Sequence, residues 1–494
     1  MRPQTAGVFL RMRRIAILGL LVLSMLALSA PAAFGQAATE GDHSPNMEFV
    51  KNLPYELRNG ATEIVGTDIE FTRIGGRQYA LAGSYRNGMQ IVDITRPRDA
   101  RIVSVYDCVV TQGDVQVFRQ ADKPGRTFVA YASDTYGDGS STCYQEAAAL
   151  GFEVKKSATA GKNGTFIAEI TDPLNPKTVS FVDIAQGAHN QTVHPSGNFL
   201  YNSNSDLITS YLPAIEIFDI RNFAAPVKTA ELALPTRPGL GTESHDISFS
   251  RDGNRAYSAA LSQGVVIDTA NAGNPSVISS WMDPAINVWH QVEPYTTTDS
   301  SGRTREFLIA EDEFAGAAGG PVCPSGGFHV YEITGDLENA PRKVGYWNID
   351  DAGFSGDAAG TCTAHVFRIH EREQIMTAAF YNGGVRVVDL SGLSGISLGS
   401  SQLVGEGMRE IGHYRMPDAD SWSAKTPQID RRTGDFYLFG NDMKRGLDIY
   451  RFDGERQRSR GRGRWMSADE ARIALAGRTN PGISGTTYVC LVGG

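Results

Sequence analysis

Gly88-Met89-Gln90-Ile91-Val92-Asp93-Ile94 reads as a short strand that ends on an acid and enters a proline-bearing turn. The phrase recurs along the chain. Thr165-Phe166-Ile167-Ala168-Glu169-Ile170 precedes Pro173, and Ile215-Glu216-Ile217-Phe218-Asp219-Ile220 precedes Pro226. Gly264-Val265-Val266-Ile267-Asp268 precedes Pro275, and Gly327-Phe328-His329-Val330-Tyr331-Glu332-Ile333 precedes Pro341. Gly384 to Leu390 and Gly446 to Phe452 complete the set, the last with Arg451 where the acid usually stands. Fixed-period self-similarity of this kind marks a repeat architecture.

Each copy follows a strand and a turn, and a further strand follows it. Pro195-Ser196-Gly197-Asn198, Arg251-Asp252-Gly253-Asn254 and Arg432-Thr433-Gly434-Asp435 carry hairpin-turn chemistry. The unit is four short antiparallel strands, A to D, repeated about every 45 to 75 residues, which is the grammar of a propeller blade. The expected fold is therefore all-β, a seven-bladed β-propeller of four-stranded antiparallel blades. Phe49 to Leu57 resembles a lone D strand. It is expected to complete the last blade and so close the ring.

The chain has 494 residues, 41% of them hydrophobic, and 54 glycines. That glycine share exceeds the ordinary level of about 7% and fits a turn-rich β protein. Five cysteines in so long a chain exclude a disulfide scaffold. Residues 1–37 read as a signal peptide. Arg2, Arg11, Arg13 and Arg14 precede an apolar run from Ile15 to Ala30, and the small residues Gly35 and Ala37 follow. Removing those four arginines takes the net charge from −9 to −13. An acidic exported protein has no electrostatic reason to bind nucleic acid. The expected division is a leader at 1–37, a propeller at 47–454, and an Arg-rich linker with a short tail at 455–494. Ser467 to Ala476 reads as a short helix in that tail, behind a capping box.

The Gln90-Ile91-Val92-Asp93-Ile94 run resembles the LVIVD repeat of exported bacterial and archaeal β-propellers. Ala188-His189-Asn190, Ser244-His245-Asp246 and Trp289-His290-Gln291 resemble the blade openings of the choice-of-anchor B surface proteins. The resemblance spans roughly residues 60 to 452 and implies a propeller in the cell envelope or outside the cell. The C-terminus departs from that family, since it shows neither a sorting motif nor a hydrophobic tail, so covalent anchoring is not expected.

In a propeller the A strands line the central channel, and their starts share a face with the ends of the B strands. Four of the nine histidines open consecutive A strands: His189, His245, His290 and His365. Asp68 and Asp114 are aligned with them in the first two blades. Two readings stand. Neutral imidazoles converging with carboxylates suit a divalent transition metal. A histidine at a blade start also serves to satisfy backbone groups. Glu311 and Asp312, in the run Glu311-Asp312-Glu313, are the candidate acid or base beside His290. Cys108 with Cys143, and Cys323 with Cys362, are expected to pair and pin long loops on that face, leaving Cys490 over.

These readings give two function classes. One is a monomeric binding scaffold that takes a protein, glycan or small molecule at the channel mouth. The other is a metal-dependent enzyme of oxidase or hydrolase type built on the histidine ring. Gly395 to Gly399 matches a nucleophile elbow only formally, because no strand-to-helix turn surrounds it. Asp134 to Gly139 is a broken calcium loop, with Tyr136 at its third position.

Overall fold

The acid that closes each repeat accounts for the local fold. Asp93 Oδ1 accepts the backbone N–H of Thr95 at 3.0 Å, and Asp389 Oδ1 accepts that of Ser391 at 2.8 Å. Asp219 and Asp268 do the same for Arg221 and Ala270. A carboxylate bonded two residues ahead fixes a turn without further partners. The apolar residue after the acid then drops into the interior: Ile94, Ile170, Ile220 and Leu390 are buried. Each bonds back to the residue leading the B strand, as Ile94 N–H does to the Gln78 carbonyl at 2.9 Å.

The computed structural model describes residues 41–134, 140–154, 164–185, 187–204, 212–237, 240–313, 326–349, 362–396 and 407–454. They form seven antiparallel sheets. The A strands are Gly66–Ile74, Gln112–Phe118, Asn190–Val193, Asp246–Phe249, Trp289–Thr298, His365–His370 and Ser421–Lys425. Each A strand touches that of the next blade, and Ser421–Lys425 touches Gly66–Ile74, so the ring closes. The recurring phrase is the C strand of every blade, as in Met89–Asp93 of blade one and Gly446–Phe452 of blade seven. All seven C–D ladders carry a register shift. Such bulges increase strand twist.

Met47–Leu53 pairs with Gly446–Phe452 as the D strand of blade seven. The closing strand thus starts and ends earlier than the expected Phe49 to Leu57. Pro54 has no N–H to extend the ladder. Asp42–His43 adds a fifth strand to blade six against Arg409–Arg415. One α-helix lies among the described residues, Thr142–Ala149, within the B–C connection of blade two. The repeat pattern gave no sign of it. The leader, the Arg-rich linker and the short C-terminal helix lie outside the described residues.

The core sits between blades. One cluster joins Tyr295, Phe307 and Phe328 of blade five to Phe367, Met376 and Val388 of blade six. Each such side chain contributes roughly 1.5–3 kcal/mol by leaving water. No helix among the described residues is long and apolar enough to cross a membrane.

Candidate metal centre

The four histidines form one continuous arc. Ring centroids are 4.4 Å apart for His189 and His245, 4.1 Å for His245 and His290, and 4.4 Å for His290 and His365. All four are buried. His290 and His365 stand on A strands that bulge against their B strands, between Trp289 and Val292 and between His365 and Phe367. A bulge re-aims side chains at the point where it occurs. His189 and His245 instead lie just before their strands, each donating its backbone N–H to the adjoining B strand, at Ser203 and Ala259.

Every ring presents Nδ1 to an acceptor. His245 Nδ1 is 3.1 Å from the His290 carbonyl, and His365 Nδ1 is 2.6 Å from the Trp422 carbonyl. His189 Nδ1 is 3.1 Å from Asp134 Oδ2, and His290 Nδ1 is 3.3 Å from Glu311 Oε2. A carbonyl or carboxylate there requires a proton on Nδ1, which leaves a lone pair on Nε2 of a neutral ring. The Nε2 atoms lie against one another or beside Glu313. Those of His189 and His245 are 2.9 Å apart. Those of His290 and His365 lie 3.6 and 3.7 Å from the two oxygens of Glu313.

Electrostatics favour the neutral form of His245, His290 and His365. Burial holds His290 down to about 4. Burial and the neighbouring rings hold His245 and His365 well below the usual imidazole range. Burial pushes Glu313 up to about 7. Neutral nitrogens fixed by an outer acceptor, with one carboxylate among them, are the donor set of a divalent transition metal. His245, His290 and Glu313 each offer a donor atom within 4.8 Å of the others.

The chain is distantly similar to several solved structures. The β-propeller domain of Cps50 (Swd1) from Myceliophteria thermophila is 10% identical, with a TM-score of 0.45, over 79% of this chain and 99% of that one. Hydrazine synthase of Kuenenia stuttgartiensis is 11% identical at 0.45, over 78% and 96%. A protein from Lactobacillus plantarum is 13% identical at 0.46, over 78% and 94%. Likenesses this distant bear on neither ligand nor activity. No family model and no curated protein matches the chain.

The structure brings the four predicted histidines together and separates them from the two aspartates aligned with them. Asp68 is paired with Lys425 at 2.6 Å, and Asp114 accepts from the Gln191 backbone at 3.0 Å. The residue of blade two beside His189 is Gln112, its amide 3.4 Å from Nε2. The A–B ladders of blades one and two slip between Gly66 and Ile69 and between Gln112 and Val115, so the aspartates stand further along the channel. Asp312 is not placed as an acid or base. It accepts the backbone N–H groups of Asn287 and Val288, both at 2.9 Å, and fixes that loop.

Glu313 is the residue that sequence reasoning passed over. Side chains alternate along a strand, so Glu311 and Glu313 share a side and Asp312 opposes them. That alternation was the available signal. Tyr381 holds Glu313 in place, its hydroxyl donating to Oε1 at 2.7 Å. Its backbone is left-handed, with φ 46°, a conformation that costs a tyrosine energy and that functional sites retain.

Cys108 and Cys143 form a disulfide. Cys362 is also disulfide-bonded. Its expected partner Cys323 lies outside the described residues, as does Cys490.

Proposed function

We propose that this chain is an exported β-propeller of the LVIVD type, a binding scaffold built around a divalent transition metal. The metal is held by His245, His290 and Glu313, with His189 and His365 flanking them in the arc. The supporting observation is the orientation of the four imidazoles, each with Nδ1 on an outer acceptor, and the close approach of His245, His290 and Glu313. Histidines that merely satisfied the backbone would not need the Nε2 atoms of His189 and His245 to stand 2.9 Å apart. The basic and apolar leader at 1–37 and the Cys108–Cys143 disulfide support export. The ligand of the scaffold approaches along the channel, where His290 and His365 line a cavity of about 320 Å³.

That cavity also favours a second reading, a metal-dependent enzyme of oxidase or hydrolase type. A catalytic metal needs an open position beside room for a small substrate. Glu311 and Glu313 would then orient or exchange protons at the site.

Elemental analysis of the purified protein, with His245→Ala beside it, tests the metal. Stoichiometric zinc, copper, iron or manganese that the variant loses supports the centre. Metal-free protein that takes up none of these ions, together with a marked fall in thermal stability on substitution, returns the histidines to a structural role. Turnover of an oxidase or hydrolase substrate panel by the loaded protein, abolished in the variant, would select the enzyme.

A further inference from the structure

Beyond the histidines the channel wall carries a collar of charge. Asp68 and Glu70 come from blade one, Asp114 from blade two, Asp246 from blade four and Glu293 from blade five. Arg368 of blade six and Lys425 of blade seven face the same cavity. The two cations are neutralised on their own side. Lys425 Nζ is 2.6 Å from Asp68 and 3.0 Å from Glu70, and Arg368 also bonds Glu70. Asp114, Asp246 and Glu293 have no such partner. They accept only from neutral groups: Gln191, the Ile247 N–H at 2.6 Å and the Gln291 amide at 2.9 Å. Blades two, four and five therefore present carboxyl groups without a cation to the channel, and the opposite arc is balanced.

A further observation points to an occupant. Asp68 is nine-tenths buried, and its Oδ2 has no hydrogen-bond partner although it stands in the cavity wall. Buried polar atoms left in this state cost free energy unless something completes them. A bare metal ion does not fit the collar. Its ligands must stand within about 2.6 Å of the ion. Among the described residues only His245, His290 and Glu313 come close enough together to do that. Carboxylates spaced around a cavity of about 320 Å³ call for a larger cation that carries its own N–H donors.

We propose that the collar of Asp68, Asp114, Asp246 and Glu293 binds a small organic cation, an alkylammonium or guanidinium compound, inside the channel. Charge selects it, since neutral and anionic solutes of equal size leave those carboxyl groups uncompensated. Several N–H donors let one ligand reach carboxylates on different blades. Burial and the neighbouring Asp68 push Asp114 up to about 8, as expected of an acid that lacks its cation. The binding of the cation rests on the carboxylates and not on the metal.

Calorimetry on the full-length protein, metal-loaded and metal-stripped, tests this with 1,4-diaminobutane as the probe. 1,4-Butanediol, succinate and calcium serve as comparisons. The expected result is diamine binding in both forms, about tenfold or more tighter than the diol or succinate. Asp114→Asn and Glu293→Gln should each weaken it by about tenfold while leaving metal content unchanged. Equal binding of the diol, displacement of the diamine by calcium, unchanged affinity in both variants, or no diamine binding at millimolar concentration would each overturn the proposal. Loss of metal with diamine binding retained would count against the metal centre alone.

Discussion

His189 Nε2 and His245 Nε2 stand 2.9 Å apart, and the opposite nitrogen of each ring is already committed to an acceptor. Two lone pairs at that distance repel unless a proton or a cation lies between them. In the metal-free protein one neutral ring is expected to hold its proton on Nε2 and share it with the other ring. Nuclear magnetic resonance of protein labelled at its histidine nitrogens should show it as one strongly downfield, slowly exchanging signal. Added zinc should remove that signal and keep the Nδ1–H signals of His245 and His365. Persistence of the shared proton in zinc-saturated protein would exclude these two nitrogens as ligands.

The Cys108–Cys143 bond closes a loop of sequence separation 35 and anchors the only α-helix among the described residues. Thr142 adds two bonds to Asp107 Oδ2, at 3.0 Å from its N–H and 2.8 Å from its hydroxyl. Closing a loop of that length removes about 4 kcal/mol of unfolded-state entropy. The double variant Cys108→Ser, Cys143→Ser should lose stability on that scale in denaturant unfolding. Hydrogen exchange should show Thr142–Ala149 opening before the blades. Unchanged exchange in the helix would mean that packing, not the disulfide, holds it.

Asp114 illustrates a conflict between stability and binding. Burial and Asp68 raise it to about 8 in the fold, against 3.8 for a free aspartic acid side chain. A raised value means that its stabilising contribution is complete below about pH 4 and is lost as pH climbs through about 8. Asp114→Asn keeps an acceptor for Gln191 and removes the ionisation. The variant should match the wild type near pH 4 and exceed it by a few kcal/mol near pH 9, on the order set by such shifts. Melting curves across that range decide it. A gap that is constant with pH would refute the assignment.

Lys425 lies between Asp68 and Glu70 and is buried with Asp68. Arg368 also serves Glu70, so Asp68 depends on Lys425 alone. Lys425→Met leaves a buried uncompensated carboxylate and should cost about 3–5 kcal/mol. Adding Asp68→Asn should recover much of that loss, a coupling that a double-mutant cycle measures. Additive effects of the two substitutions would show that the pair is not coupled.

The blades and their number were legible because their signals are local. An acid that caps its own turn, an apolar residue after it and a Gly-Asn or Gly-Asp hairpin all lie within a few residues of one another. The closing strand at Met47–Leu53 was legible for the same reason, as a D strand without its blade. The four histidines could be grouped because they share a position in the repeat.

What the sequence by itself determined is the repeating unit, its count and the meeting of its histidines, since a repeat carries its register with it. Which carboxylate faces those histidines was decided only in three dimensions. So were the direction of each ring nitrogen and the place of Asp68 and Asp114 further down the channel. The reason is that bulges break the repeat's register at the start of five A strands. A slip of one residue turns a side chain to the opposite face of its strand. The partners of each ring also come from neighbouring blades tens of residues away, and only closure of the ring brings them within bonding distance.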